Sequence, residues 1–206
     1  METKNFQKTY STNDFLIRSV LRGILEKRRE QYREQGYKVE IFDELGVQHG
    51  ANRIDYALIN GIMCGFEIKS DRDTLDRLPE QVKEFSEVFD ELTLVVGKRH
   101  LYNAIHQIPD WWGVWLAKED ENGLVDIQII RDPQKNKYQD IKSIARLLWK
   151  EEALKILEER NEAKGLRNKP REIIYTKIQD VFAAELDTFK EKVSLTLTSR
   201  EGWRVD

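Results

Sequence analysis

Cysteine is almost missing from this sequence. Cys64 stands alone, so no internal disulfide can form, and a reducing compartment is the natural setting. Histidine is nearly as scarce, at His49, His100 and His106, which leaves too few soft ligands for a structural zinc site. No apolar run is long enough to span a bilayer, and residues 1–16 carry no charged-then-apolar leader. The expected location is the cytoplasm, with no membrane partner. An excess of positive charge is also lacking: 34 Lys and Arg face 37 Asp and Glu, for a formal net charge of −3. Proteins that coat nucleic acid by bulk electrostatics are normally strongly basic. That class is disfavoured here, and any nucleic-acid contact must come from a local patch. An enzyme whose metal-binding carboxylates push the balance toward acid is not excluded.

The material that is present suits one α/β domain with a helical extension. A chain of 206 residues, 40% of them hydrophobic, can bury a sizeable core without staples. The spacing of Leu16, Ile17, Val20, Leu21, Ile24 and Leu25 predicts a helix over 13–35, capped by Ser11 or Thr12 and stopped at Gly36. Its cations, Arg18, Arg22, Lys27, Arg28, Arg29 and Arg33, read most simply as a solvated face. Strands are expected at 38–45, 53–59 and 62–69, the last two joined at Asn60-Gly61, a strong hairpin signal. A helix over 79–89 begins at a proline. The run LTLVV at 92–96 reads as a buried parallel strand. A short helix near 101–107 and strands at 113–117 and 125–130 (an edge) complete a core over 1–140. Residues 141–206 read as a helical extension packed on it: a long or broken helix from Lys142 to near Gly165, a basic turn over 165–171, and one amphipathic helix over 172–189.

Two strands concentrate the chemistry. Phosphodiester cleavage at neutral pH needs an activated water and a way to meet charge on the phosphorus, both supplied by carboxylate-bound divalent metal. Magnesium takes hard oxygen ligands and usually only one or two protein carboxylates. A lysine can act on the water or on developing charge. Arg53-Ile54-Asp55 and Glu67-Ile68-Lys69 provide these residue types. Glu67 and Lys69, two apart, share a sheet face, while Phe66 and Ile68 take the other. A two-residue Asn60-Gly61 loop would pair Ile59 with Ile62 and put Asp55 on the wrong side. The chemistry therefore requires a three-residue loop with Gly61 left-handed, or a bulge. Glu-x-Lys alone carries no weight, since it recurs at Glu2–Lys4 and Glu162–Lys164. What distinguishes Glu67 and Lys69 is two charges ending an apolar strand, where charge is costly without a purpose. From pattern alone, a nuclease centre and a strand-end salt bridge stand side by side.

These residues resemble a known family. Arg-x-Asp, Glu-x-Lys at a strand end and a following helix with Gln81 look like the PD-(D/E)XK nuclease superfamily. The Gln-x-x-x-Tyr motif of its RecB-like branch is present as Gln81 to Phe85, with Phe for Tyr, and Ile54 stands where the label's proline would be. The stretches 44–50 (ELGVQHG), 67–78 (EIKSDRDTLDRL), 88–101 (VFDELTLVVGKRHL), 109–113 (PDWWG) and 146–150 (RLLWK) resemble bacterial and phage proteins described only as nuclease-like. The layout is also similar to that of a DNA-repair-associated family. The resemblance implies a restriction-endonuclease-like three-layer core, with a mixed central sheet flanked by helices. It implies Mg²⁺ or Mn²⁺ on Asp55, Glu67, the Ile68 carbonyl and Glu44, with Lys69 acting on water and Gln81 reaching in from its helix. Ser70, Arg72 and Arg53 would touch phosphate.

The expected function is metal-dependent hydrolysis of phosphodiester bonds in DNA, in repair, recombination or phage-related DNA processing. A non-catalytic nucleic-acid or protein-binding module on the same fold, or an RNA-directed nuclease, are the alternatives, and a homodimer is compatible with either. Trp111, Trp112 and Trp115 could stack bases, though core packing is the plainer reading. Lys164, Arg167, Lys169 and Arg171 read equally as a phosphate patch or a solvated turn. His49 and His100 suit ordinary loop polar groups, and Cys64 a small buried hydrophobe.

Overall fold

The computed structural model describes residues 11–50 and 52–200, His49 by its main chain only. Expectations at residues 1–10, including the Glu2–Lys4 pair, and at the His49 side chain lie outside the described residues. Among the described residues no helix is long and apolar enough to cross a membrane.

The chain is α/β, built on a six-stranded mixed sheet in sequential order. Helix α1 (Asp14–Glu34) precedes an antiparallel meander of β1 (Glu40–Val47), β2 (Asn52–Ile59) and β3 (Met63–Lys69). Helix α2 (Leu78–Ser86) then crosses to β4 (Glu91–Gly97), parallel to β3, and α3 (Leu101–Ile105) to β5 (Gly113–Glu119), parallel to β4. Strand β6 (Val125–Arg131) closes the order as an antiparallel edge. Four helices follow: α4 (Ile141–Ala145), α5 (Lys150–Glu158), α6 (Arg171–Val181) and α7 (Leu186–Thr198).

Alternation along the strands sorts side chains to two faces. Ile17, Leu21 and Leu25 of α1 pack on Tyr56, Leu58, Phe66, Ile68, Val95 and Trp115 to form the smaller core. The other face carries Ala57, Ile59, Met63, Leu94 and Val96, which share one continuous core with α2 and the C-terminal helices through Phe85, Leu154, Ile178, Phe189 and Val193. Trp112 and Trp115 are buried in these cores, which removes them as base-stacking surfaces. Arg28 lies over the Trp115 ring at 4.9 Å, so this cation of α1 is packed and not merely solvated.

Local differences from the sequence expectation have specific causes. Asn13, not Ser11 or Thr12, caps α1, its side-chain oxygen accepting from Leu16 N at 3.0 Å. Thr12 instead bonds Asp71, at 2.9 Å from its N–H and 2.8 Å from its hydroxyl, tying the start of α1 to the end of β3. The single helix expected over 172–189 is two, α6 and α7. Phe182 ends the first, and its ring stacks against Phe189 at 5.0 Å, so aromatic packing folds the chain back.

Asp71 also accepts from Arg99 N at 2.7 Å, and it sits hard against Gly97 at the end of β4. A Cβ on Gly97 would lie 2.5 Å from one Asp71 carboxylate oxygen and 2.7 Å from its backbone N. Gly97→Ala is expected to cost about 1–3 kcal/mol through this overpacking. Urea denaturation checks it; an unchanged midpoint would show that the contact yields freely.

Candidate functional site

The turn between β2 and β3 sets the register on which the site depends. Ile59 pairs with Met63, leaving Asn60, Gly61 and Ile62 as a three-residue loop with Gly61 at φ +102°. The pairs Tyr56–Phe66 and Ala57–Gly65 continue an even register, which puts Asp55 opposite Glu67. There the ladder opens: Ile68 N donates to the Asp55 carboxylate at 2.6 Å. The neighbouring strand is irregular at the same level. Asp43 pairs with Tyr56 and Leu45 with Ile54, but Glu44 adopts φ +53°, a conformation costing an acidic residue about 1–3 kcal/mol. Phe42 and Leu45, like Ala57 and Ile54, enter the same core although three residues apart. Glu44 and Asp55 lie within these two breaks, at one end of the sheet.

A cleft of about 400 Å³ opens at this point, lined by Glu44, Asp55, Glu67, Lys69, Gln81 and Arg53, with the main chain of Ile68. The Ile68 side chain belongs to the smaller core, so only its backbone faces the cleft. Asp55 is 9% exposed, Glu67 2%, Lys69 6% and Gln81 3%, and burial this deep makes every unpartnered charge expensive. The Lys69 ammonium bonds Glu67 Oε1 at 2.7 Å, and Gln81 Nε2 donates to the same oxygen at 2.6 Å. Glu67 Oε2 and Gln81 Oε1 are buried and have no hydrogen-bond partner among the described residues.

Two residues expected here do not join them. Ser70 is buried with its hydroxyl and N–H both bonded to the Asp73 carboxylate at 2.7 Å, and it lies outside the cleft. Arg72 is exposed on the following turn and does not line the cleft either. Conversely, Arg18 belongs to the site although its helix face reads as solvated. Its guanidinium bonds Asp55, Glu44 at 2.7 Å and Asp14 at 2.7 Å, and lies 5.8 Å from the centre of the Tyr56 ring. Asp14, Asn52, Asp73 and Arg77 line the cleft too. His100 is occupied elsewhere, its ring bonded to the Asp73 carbonyl at 2.8 Å.

The donor set can be compared with what a metal requires. Among the described residues there is no group of three or more His, Cys, Asp or Glu arranged to hold an ion. Asp55, Glu67 and the Ile68 carbonyl are instead a two-carboxylate set of the kind magnesium accepts, leaving positions for water and phosphate. Arg18 and Ile68 N already bond Asp55, and Lys69 and Gln81 bond Glu67 Oε1, so among these carboxylate oxygens Glu67 Oε2 is the one open to an ion.

Burial pushes the Asp55 carboxyl well above the usual aspartate range; the nearby Glu67 charge adds to this, while Arg18 and the Ile68 N–H oppose it. Glu67 is also raised, chiefly by burial, against the pull of Lys69 and Gln81. A carboxyl with a higher pKa folded than unfolded favours the fold at low pH and loses that contribution as pH rises above about 3.9 toward the folded value. Asp55→Asn removes this loss while keeping an acceptor for Ile68 N. Its melting temperature relative to wild type is expected to rise as pH goes from 4 to 7, although the variant also loses the Arg18 ion pair. A difference independent of pH would show that Asp55 does not titrate abnormally.

Comparison with known proteins corrects the family expected from the motifs. Residues 18–201 match the family model described as Bacteriophage P4 protein cII, and no nuclease family is matched. "Protein cII" of Enterobacteria phage P4 is 33% identical over 91 residues, which are 44% of this chain and 34% of the relative; the chain thus spans about a third of that relative's length. No solved structure matches. The resemblance to the PD-(D/E)XK superfamily and its RecB-like branch rested on short motifs, and the likeness to nuclease-like bacterial and phage proteins on five separate stretches between residues 44 and 150. A match along most of the chain outweighs them. The chain belongs to the Bacteriophage P4 protein cII family.

Proposed function

We propose that the Asp55–Glu67–Lys69 cleft hydrolyses phosphodiester bonds with the help of Mg²⁺ or Mn²⁺, and that its substrate is DNA. The observation that carries this reading is the pair of buried carboxylates on adjacent strands, one with an oxygen lacking any donor, beside a buried ammonium. A divalent ion held by Asp55, Glu67 and the Ile68 carbonyl would acidify bound water and neutralise phosphate charge. Lys69 would orient the attacking water or meet charge developing on phosphate. Gln81 would fix the Glu67 carboxylate, and Arg53 at the rim would hold the phosphate backbone. The finer architectural reading, a restriction-endonuclease-like three-layer core, belongs to this proposal and rests on the order of strands and the helices on both sheet faces.

A second reading has one observation in its favour. Arg18 already bridges Asp55 and Glu44, so a fixed cation sits where a metal would otherwise be required. On that view the cleft is a structural ion-pair network in a binding module.

Two measurements separate the readings. Mg²⁺ or Mn²⁺ is expected to raise the melting temperature of wild type and not of Asp55→Ala, because a metal bound only to the folded state stabilises it by mass action. Equal shifts in both proteins would put the metal elsewhere. Incubation with linear, circular and single-stranded DNA should give cleavage with Mg²⁺ or Mn²⁺ and none with EDTA. Lys69→Met keeps the stem's bulk and should cut roughly a hundredfold more slowly. Wild type that bound DNA but cut none with either metal would leave the binding-module reading standing.

A further inference from the structure

A second groove adjoins the cleft, sharing Glu44, Gly50 and Arg53 with it. Arg146, Arg171, Arg200 and Trp149 line the rest of it, over a floor that includes Leu45, Leu147 and Leu148. Against a net charge of −3 for the chain, this gathering of arginines on one groove is a local exception. Two of the cations have fixed partners. Arg146 is paired with Glu172 at 3.0 Å, and Arg200 with Glu152 at 2.6 Å. Arg53 and Arg171 are exposed, both lining the groove and Arg53 the cleft as well. Arg171 begins α6, directly after the basic turn containing Arg167 and Lys169.

Trp149 is 54% exposed, an unusual state for the largest apolar side chain in this protein, while Trp112 and Trp115 are buried. Its orientation is fixed: the Arg200 guanidinium lies 4.5 Å from the indole centre, itself anchored by Glu152 and by the Leu147 carbonyl at 2.8 Å. A part-exposed indole held by Arg200, beside the exposed Arg53 and Arg171, has the chemistry of a stacking platform next to a phosphate track.

We infer that this groove binds single-stranded polynucleotide leading away from the cleft, with Arg53 and Arg171 on successive phosphates and a base stacked on Trp149. An unpaired strand is required because the bases of a duplex do not present their faces to an indole. The inference rests on the cleft reading above only in supplying the strand's direction; binding itself needs no hydrolysis.

The test uses the full chain and fluorescence anisotropy with labelled single-stranded DNA of about twelve nucleotides, a span within the usual site sizes. EDTA is present so that nothing is cut, and an RNA oligomer of equal length forms a second arm. Trp149→Leu should weaken binding roughly tenfold by loss of stacking. Arg171→Gln should weaken it by about the same factor and lower the slope of log K against log salt by about 0.7, the value for one phosphate contact on a single strand. Neither residue lines the cleft, so hydrolysis of bis(4-nitrophenyl) phosphate with Mn²⁺ should match wild type in both. Loss of either oligomer in both variants supports the groove. Wild type that binds neither oligomer, or variants that bind as tightly as wild type with unchanged salt slopes, would overturn it. If wild type fails on the small phosphodiester while the variants still lose oligomer binding, the cleft reading falls and the groove stands.

Discussion

The Arg18–Asp55 ion pair is the contact around which the cleft end of the sheet is arranged. Asp55 is buried beside Glu67, and two carboxylates so placed repel and resist ionisation. Arg18 answers that cost from the opposite layer, reaching past the Tyr56 ring to the strand end. It thereby couples the position of α1 to the geometry of the cleft. The Thr12–Asp71 bonds fix the same helix at its N-terminus, so the arginine is not free to swing away. Lys69 and Gln81 serve Glu67 in the same manner from its own strand and from α2.

The C-terminal helices contribute more than cover. The hairpin turn that places Asp55 opposite Glu67 is held by α7, where the Ser194 hydroxyl accepts from Gly61 N at 2.9 Å. Asp90, next to β4, accepts from Met63 N at 2.8 Å and from Lys190 Nζ at 2.7 Å, and Lys190 also reaches Gln139. A buried ion pair with each oxygen satisfied fixes geometry more than it adds stability. Here the geometry it fixes is the start of β3, four residues before Glu67. The second groove is also built by this part of the chain, since Arg146, Trp149 and Arg171 all lie beyond residue 140. The cleft's chemistry comes from the sheet, and the neighbouring surface comes from the helices added to it.

The strands were the most legible part of the fold. Asn60-Gly61 between apolar runs, and the unbroken LTLVV, led to β2, β3 and β4 within a residue or two of where they lie. The loop length followed from the chemistry: only an even register brings Asp55 and Glu67 together, and the Ile59–Met63 pair has that register. Glu67 and Lys69 were legible as charges ending a strand that is otherwise apolar, whereas Gln81 was singled out only through the motif resemblance. Family membership was not legible from these motifs, because the spacing of three or four polar residues is too little information against a whole-chain match.

The sequence by itself determined the strands of the sheet and the charged pair ending β3, because side-chain periodicity acts over a few residues. Tertiary structure alone decided which cation would face Asp55, that Ser70 would turn to Asp73, and that the final helical stretch would break at Phe182. Each of those outcomes depends on partners distant in the chain or on packing between two helices. Arg18 and Asp55 are separated by 37 residues, and nothing in the local pattern of α1 distinguishes Arg18 from Arg22. The cost of leaving Asp55 buried beside Glu67 without a cation distinguishes them, and that cost exists only once the sheet has formed.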